Sequence, residues 1–299
     1  MISQVSLRIA AFAAIAFFAG APVPAQQIPS AVIADQPPDS AHPARMEAPD
    51  ILSHGKTLYA VFYLASGEGP HPTVLLMHGF PGNEQNMDLA QSIRRAGWNV
   101  LVPHYRGSWG SAGSFSFRNS IEDAQSALHF LRAPENAKKY GIDTRRIVLI
   151  GHSMGGFMAA CTSAHSPSVA GVGLISAWNI GASFARNPNL GATDDFREEA
   201  SRLAGTTPEE LAAEAKRNAS AWNFLTFAPA LSSRPVLVVE SNDGLRDDNH
   251  ALAEAIRKAG DTQVTEAHIA TDHAYSDHRI ALQEAVISWL ESLPPIAAK

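Results

Sequence analysis

Gly151-His152-Ser153-Met154-Gly155 sets one hydroxyl between two glycines. A serine hydroxyl attacks a carbonyl only when a base takes its proton and a third group orients that base. Both partners follow in the chain. Asp243 stands in Glu240-Ser241-Asn242-Asp243-Gly244, and His273 in Thr271-Asp272-His273-Ala274-Tyr275. Asp247 and Asp248 are rivals for the acid, farther from the preceding strand. His278 is a rival base, but it begins the terminal helix. The chemistry these types support is acyl transfer: attack by Ser153, proton transfer by His273, orientation by Asp243. Developing negative charge on the carbonyl oxygen needs donors. The glycine-rich His78-Gly79-Phe80-Pro81-Gly82 offers the Phe80 N–H, and the residue after the serine offers the Met154 N–H. His152 beside the serine and Trp109 in a Gly/Ser loop are the candidates for substrate contact. Nothing in this scheme requires a metal or an organic cofactor.

The elements needed to position these groups are legible around them. Ile147-Val148-Leu149-Ile150 is apolar on both faces and too short for a helix, as in a strand buried inside a parallel sheet. Small helix formers follow Ser153, so the serine sits on a tight strand-to-helix turn with helix N–H groups aimed at it. Thr73–Met77 is a second buried strand, ending at the Phe80 loop. Further strands are expected at 57–63 (antiparallel, near the edge), 98–105, 169–176, 235–239 and 262–269. Helices are expected at 86–96, 120–132, 250–259 and 280–293, with Gly97 and Gly260 after two of them. Each catalytic candidate therefore follows a strand, on the edge where functional loops of open α/β sheets gather.

The 299 residues are 45% hydrophobic and 17% charged, enough for one large domain with a sizeable core. A net charge of −6 without long runs of one sign points to no nucleic-acid partner. One cysteine, Cys161, forms no intramolecular disulfide and is read as a small buried apolar residue. Residues 1–25, with Arg8 ahead of a short apolar run and Val23-Pro24-Ala25 after it, read as a cleaved secretory signal, placing the mature chain in the periplasm or outside the cell. That run is short for a membrane span, so no stable insertion is expected. Residues 26–48, rich in Pro and Ala, read as a linker, and 49–299 as the domain. Residues 179–230 break the strand–helix rhythm and form an expected cap or lid, with Thr207 capping a helix from Pro208.

These motifs together resemble the α/β-hydrolase superfamily of serine hydrolases. Within it, the similarity is greatest to the catalytic domains of the dienelactone-hydrolase and prolyl-oligopeptidase-like group. It is carried by His78-Gly79-Phe80-Pro81-Gly82, Tyr105-Arg106-Gly107, Glu122-Asp123, Gly151 to Gly156, the Asp243 loop and Asp272-His273. The nucleophile is serine where dienelactone hydrolases carry cysteine, and the sequence holds no β-propeller. The resemblance implies an α/β fold with a mostly parallel central sheet, helices on both faces and a small cap. It also implies a triad of Ser153, Asp243 and His273. The expected substrate is a small carboxylic ester. Short peptides are the alternative, and no acidic pair for a free amino terminus stands out to favour them. A binding protein that kept this fold without its reaction is the reading from another class; oligomeric state is left open.

Overall fold

The computed structural model describes residues 28–260 and 263–294. The signal sequence expected at 1–25 lies outside them. Ten strands form: β1 (Arg45–Glu47), β2 (Ile51–Ser53), β3 (Lys56–Leu58), β4 (Ala60–Leu64), β5 (His71–Met77), β6 (Asn99–Pro103), β7 (Ile142–His152), β8 (Gly171–Ile175), β9 (Val236–Glu240) and β10 (Val264–His268). Eight of them make one sheet in the order β1-β4-β6-β5-β7-β8-β9-β10, with β2 and β3 as a separate hairpin. From β6 to β10 every pairing is parallel, whereas β4 runs antiparallel to both β6 and β1.

Alternate side chains of the central strands feed two apolar layers. Leu75, Met77, Ile147, Leu149, Val236 and Val238 face the layer containing the helices Phe117–Arg132 and Met154–Ala164. Val74, Leu76, Val148, Ile150, Leu237 and Val239 face the layer containing Met87–Arg95 and Arg279–Ser292. Both faces are covered, which is why these strands read as unbroken apolar runs. Each such fully buried Leu, Ile or Val stabilises the fold by about 1.5–3 kcal/mol.

Two readings of the sequence need correction. The single strand expected over 57–63 is two strands, because Tyr59 leaves the ladder. Its N–H takes the Ser111 hydroxyl as acceptor, and its carbonyl accepts the His104 N–H. Residues 28–47 are not a free linker. Ser30–Ile33 forms a helical turn whose Ala31 carbonyl accepts the Arg95 Nε–H at 2.6 Å, and Arg45–Glu47 adds an edge strand to β4. Backbone carbonyls make much of the attachment, joined by the Gln36 side-chain amide donating to the Arg95 carbonyl and by Val32 packed against the second apolar layer.

The insertion at 179–230 folds as the helices Ile180–Arg186, Asp194–Ala200 and Pro208–Arg217 with short 3₁₀ turns. Thr207 caps the third, accepting the Glu210 N–H at 3.2 Å while Glu210 accepts the Thr207 N–H at 2.9 Å. Among the described residues no helix is long and apolar enough to cross a membrane.

Candidate active site

β7 ends at His152, and the helix Met154–Ala164 begins with a single residue between them. Ser153 makes the turn alone, at φ 56° and ψ −120°. A non-glycine residue held there costs on the order of 1–3 kcal/mol of backbone strain. The surroundings hold it in place: its N–H donates to the Ile175 carbonyl at 2.9 Å and its carbonyl accepts the Trp178 N–H at 2.9 Å. The neighbouring glycines are required by contact. A Cβ on Gly151 would lie 2.0 Å from the Gly155 carbonyl oxygen, and one on Gly155 would lie 2.1 Å from that of Met77. The helix N-terminus is thereby pressed against the ends of β5 and β7, and its free N–H groups surround the serine.

The loop after β5 meets the same point, since a Cβ on Gly79 would lie 3.0 Å from that of Ser153. This loop is fixed from behind. His78 is fully buried, its Nδ1–H donates to the Gly79 carbonyl at 2.8 Å, and burial lowers its pKa to about 3, so the ring is neutral. The Tyr105 hydroxyl donates to the His78 carbonyl at 3.2 Å, and the Trp109 indole N–H to the Pro81 carbonyl at 2.8 Å. Neither the Phe80 N–H nor the Met154 N–H donates to any group of the described residues, so both remain available beside the serine.

Asp243 and His273 arrive from the other side, on the loops after β9 and β10. Asp243 Oδ2 accepts from His273 Nδ1 at 2.7 Å and Oδ1 accepts the Leu245 N–H at 2.9 Å. Burial alone would raise the carboxyl's pKa. The hydrogen bonds from His273, Leu245 and the Ser176 hydroxyl overcome that and hold it well below the usual carboxylate range. With Nδ1–H committed to Asp243, Nε2 is the free, proton-accepting nitrogen of the ring. His273 and Ser153 line one cavity of about 540 Å³, with Asp243 in its wall. Among the described residues no direct hydrogen bond joins the serine to the histidine.

The rivals are placed elsewhere. Asp248 pairs with Arg186 through both carboxylate oxygens, at 2.8 and 2.6 Å, and Asp247 lies with it in the first turn of the helix Arg246–Ala259. His278 caps the terminal helix and pairs with Asp277 at 2.8 Å. The two residues expected to contact substrate are placed differently: His152 borders a smaller cavity with Ser153 and His273, and Trp109 does not line the larger one. Trp109 is not in the wall of the 540 Å³ cavity; half-exposed, it props the Phe80 loop through Pro81. His152 lies beneath the site, its Nε2–H donating to the His273 carbonyl at 2.8 Å, and burial followed by the nearby His273 holds its pKa at about 3. It steadies the backbone at His273, and its ring is neutral at neutral pH.

Several participants escape the sequence. Ser176, at φ 42°, bonds the buried Tyr275 hydroxyl at 2.9 Å, and that hydroxyl donates to the Val239 carbonyl at 3.2 Å, tying β8, β9 and the His273 loop together behind Asp243. Asn249 accepts from the Ala177 N–H at 3.1 Å and donates to its carbonyl at 2.9 Å. The insertion supplies Phe196 and Glu199 to the cavity, where Phe80 stacks on Phe196 with ring centres 5.3 Å apart. None of these carried a local signal, because each acts through residues distant in the chain. Tyr105-Arg106-Gly107 and Glu122-Asp123 serve the framework. Arg106 donates to Asp123 at 2.6 Å and to Glu122 at 2.6 Å, and the Ser53 hydroxyl to Asp123 at 2.6 Å.

A strained serine between obligatory glycines, a second glycine loop against it and an Asp–His pair across a shared cavity define an α/β-hydrolase. A model of the alpha/beta hydrolase family matches residues 74–284, and the chain belongs to that family. Alpha/beta hydrolase domain-containing protein WAV2 of Arabidopsis thaliana is 33% identical over 117 residues, which are 38% of this chain and 36% of that protein. The chain thus spans about a third of that relative's length. Among solved structures, the metagenomic carboxylesterase EstE1 superposes with a TM-score of 0.61 at 22% identity, covering 85% of this chain and 91% of that one. The Pyrococcus furiosus esterase Pf2001 does so at 0.62 and 16%, covering 84% and 93%. The Pyrococcus horikoshii acylaminoacyl peptidase matches at 0.64 and 18%, covering 86% of this chain and 42% of its own. At these identities the likeness is one of fold.

Proposed function

We propose that this chain is an exported serine hydrolase that cleaves carboxylic esters through an acyl-enzyme. The observation that carries the reading is the strained Ser153 sharing one cavity with an Asp243–His273 pair whose acceptor nitrogen is free. With an ester bound, the Ser153 hydroxyl turns to His273 Nε2, a bond that commonly tightens only in the substrate complex. Ser153 Oγ then attacks the carbonyl carbon as Nε2 takes its proton, and the Phe80 and Met154 N–H groups receive the oxyanion. His273 returns that proton to the departing alkoxide. Water repeats the sequence on the acyl-enzyme and releases the acid. Asp243 keeps its charge throughout and stabilises the imidazolium.

The test is covalent. A fluorophosphonate labels the wild type at Ser153 and fails to label Ser153→Ala, and p-nitrophenyl butyrate turns over only with the wild type. Labelling of Ser153→Ala to the wild-type extent refutes the assignment, and no labelling of either protein returns the non-catalytic reading. Export is part of the proposal, and N-terminal sequencing of protein recovered outside the cytoplasm is expected to begin near Gln26.

A further inference from the structure

Beyond the serine, the 540 Å³ cavity is walled by the aromatic side chains of Phe80, Trp178 and Phe196 and by four charged side chains besides His273. Two of these are already matched within the protein. Asp243 is bound to His273, and Arg186 holds Asp248 with both guanidinium nitrogens at 2.8 and 2.6 Å. The other two are Asp195 and Glu199, one turn apart on the cap helix Asp194–Ala200. Among the described residues neither side chain makes a hydrogen bond or a salt bridge, while the neighbouring acid Glu198 is paired with Arg202 at 2.6 Å.

We propose that this cavity selects esters carrying a positive charge, held by Asp195 and Glu199 against the aromatic wall. This deepens the esterase reading and rests on it. The chemistry of a cation fits both halves of the wall. Carboxylates supply charge, and ring faces of Phe and Trp attract an ammonium group that has shed water. An anionic substrate would face two unneutralised carboxylates and find no free guanidinium, since Arg186 is occupied. Glu199 also borders the smaller cavity formed by the Gly79–Glu84 loop, His152 and His273, so it looks across at the base as well as at the bound group. Burial, then repulsion from Asp195, raises its pKa, as expected of a carboxylate that lacks a protein partner.

The probes are matched pairs. p-Nitrophenyl 6-aminohexanoate and p-nitrophenyl heptanoate differ by ammonium against methyl on the acyl side. Acetylcholine and 3,3-dimethylbutyl acetate differ by a quaternary nitrogen against carbon on the alcohol side. In at least one pair the cationic member is expected to have a kcat/KM about tenfold or more higher, and the double variant Asp195→Asn/Glu199→Gln to bring that ratio to within about threefold of unity. The ratio is read, so an overall loss of rate in the variant does not obscure it. Binding of n-hexylammonium against hexanoate to Ser153→Ala, followed by calorimetry, reads the same preference without turnover. No preference in either pair, or one that survives the double variant, overturns the inference and leaves the esterase reading standing. Failure to cleave any of the four esters, with hexylammonium still bound and that binding lost in the double variant, overturns the esterase reading instead.

Discussion

Asp243→Asn isolates what the acid does. The carboxylate accepts from His273 Nδ1 at 2.7 Å and from the Leu245 N–H at 2.9 Å, and its side chain is 2% exposed. A carboxamide fits the same space but has one acceptor oxygen. If that oxygen keeps the Leu245 N–H, the amide nitrogen faces the imidazole, and Nδ1 must become the acceptor. The ring proton then sits on Nε2, the nitrogen that has to receive the serine proton. If the oxygen keeps His273 instead, an N–H meets the Leu245 N–H head on and the loop loses its anchor. Either way the negative charge that stabilises imidazolium is gone. Loss of this kind lowers kcat by about 10⁴-fold, or about 5.4 kcal/mol of barrier. Steady-state hydrolysis of p-nitrophenyl butyrate measures it, with circular dichroism and the melting temperature showing that the variant is folded. A folded variant within tenfold of wild-type kcat refutes the argument that Asp243 sets the tautomer. Acid titration gives an independent reading. The carboxyl's folded pKa lies below the usual value near 3.8, so its contribution to stability is present above that value and lost as pH falls beneath it. The melting temperature of the wild type should therefore fall more steeply below pH 4 than that of Asp243→Asn.

His273→Ala should lower kcat on the same ester by about a thousandfold or more, while His278→Ala, whose ring pairs with Asp277, should stay within about threefold of wild type. The reverse pattern sinks the assignment. Gly155→Ala drives a methyl to 2.1 Å from the Met77 carbonyl oxygen, and overpacking of this kind costs roughly 1–3 kcal/mol or more. Denaturant unfolding should show that loss, and an unchanged midpoint would mean the helix and β5 are not in contact. Arg106→Met leaves the Asp123 carboxylate buried with the Ser53 hydroxyl and the Arg106 backbone N–H as its partners. A stability loss of about 3–5 kcal/mol is expected by urea denaturation, against none if the pair were solvated.

The elements that bring the candidate site together were legible because their signals are local. Ile147–Ile150 followed by Gly151 to Gly156 fixes a strand, a turn and a helix from contiguous residues, and Asp243 and His273 stand within a few positions of β9 and β10. Trp109 was misplaced because composition shows an aromatic in a loop but not where its ring turns; a hydrogen bond to Pro81 decides that. The attachment of residues 28–47 was invisible for a related reason: much of it is made by backbone groups at Ala31 and along β1, which every sequence possesses. Asp195 and Glu199 were lost among the acids of Asp194–Ala200, where only the folded cap separates the two that line the cavity from Glu198, which pairs with Arg202.

Cys161, the only thiol in the chain, lies 6% exposed in the helix that follows Ser153, and burial pushes its pKa up to about 11. Reagents that consume thiolates therefore find almost nothing to react with in the folded protein. That silence makes the native chain its own cysteine-free background for spectroscopy. Asn187→Cys, on the exposed rim of the cavity, could carry one fluorophore or spin label without altering the helix behind Ser153, so that any movement of the cap over a bound ester would be reported from a single, known position.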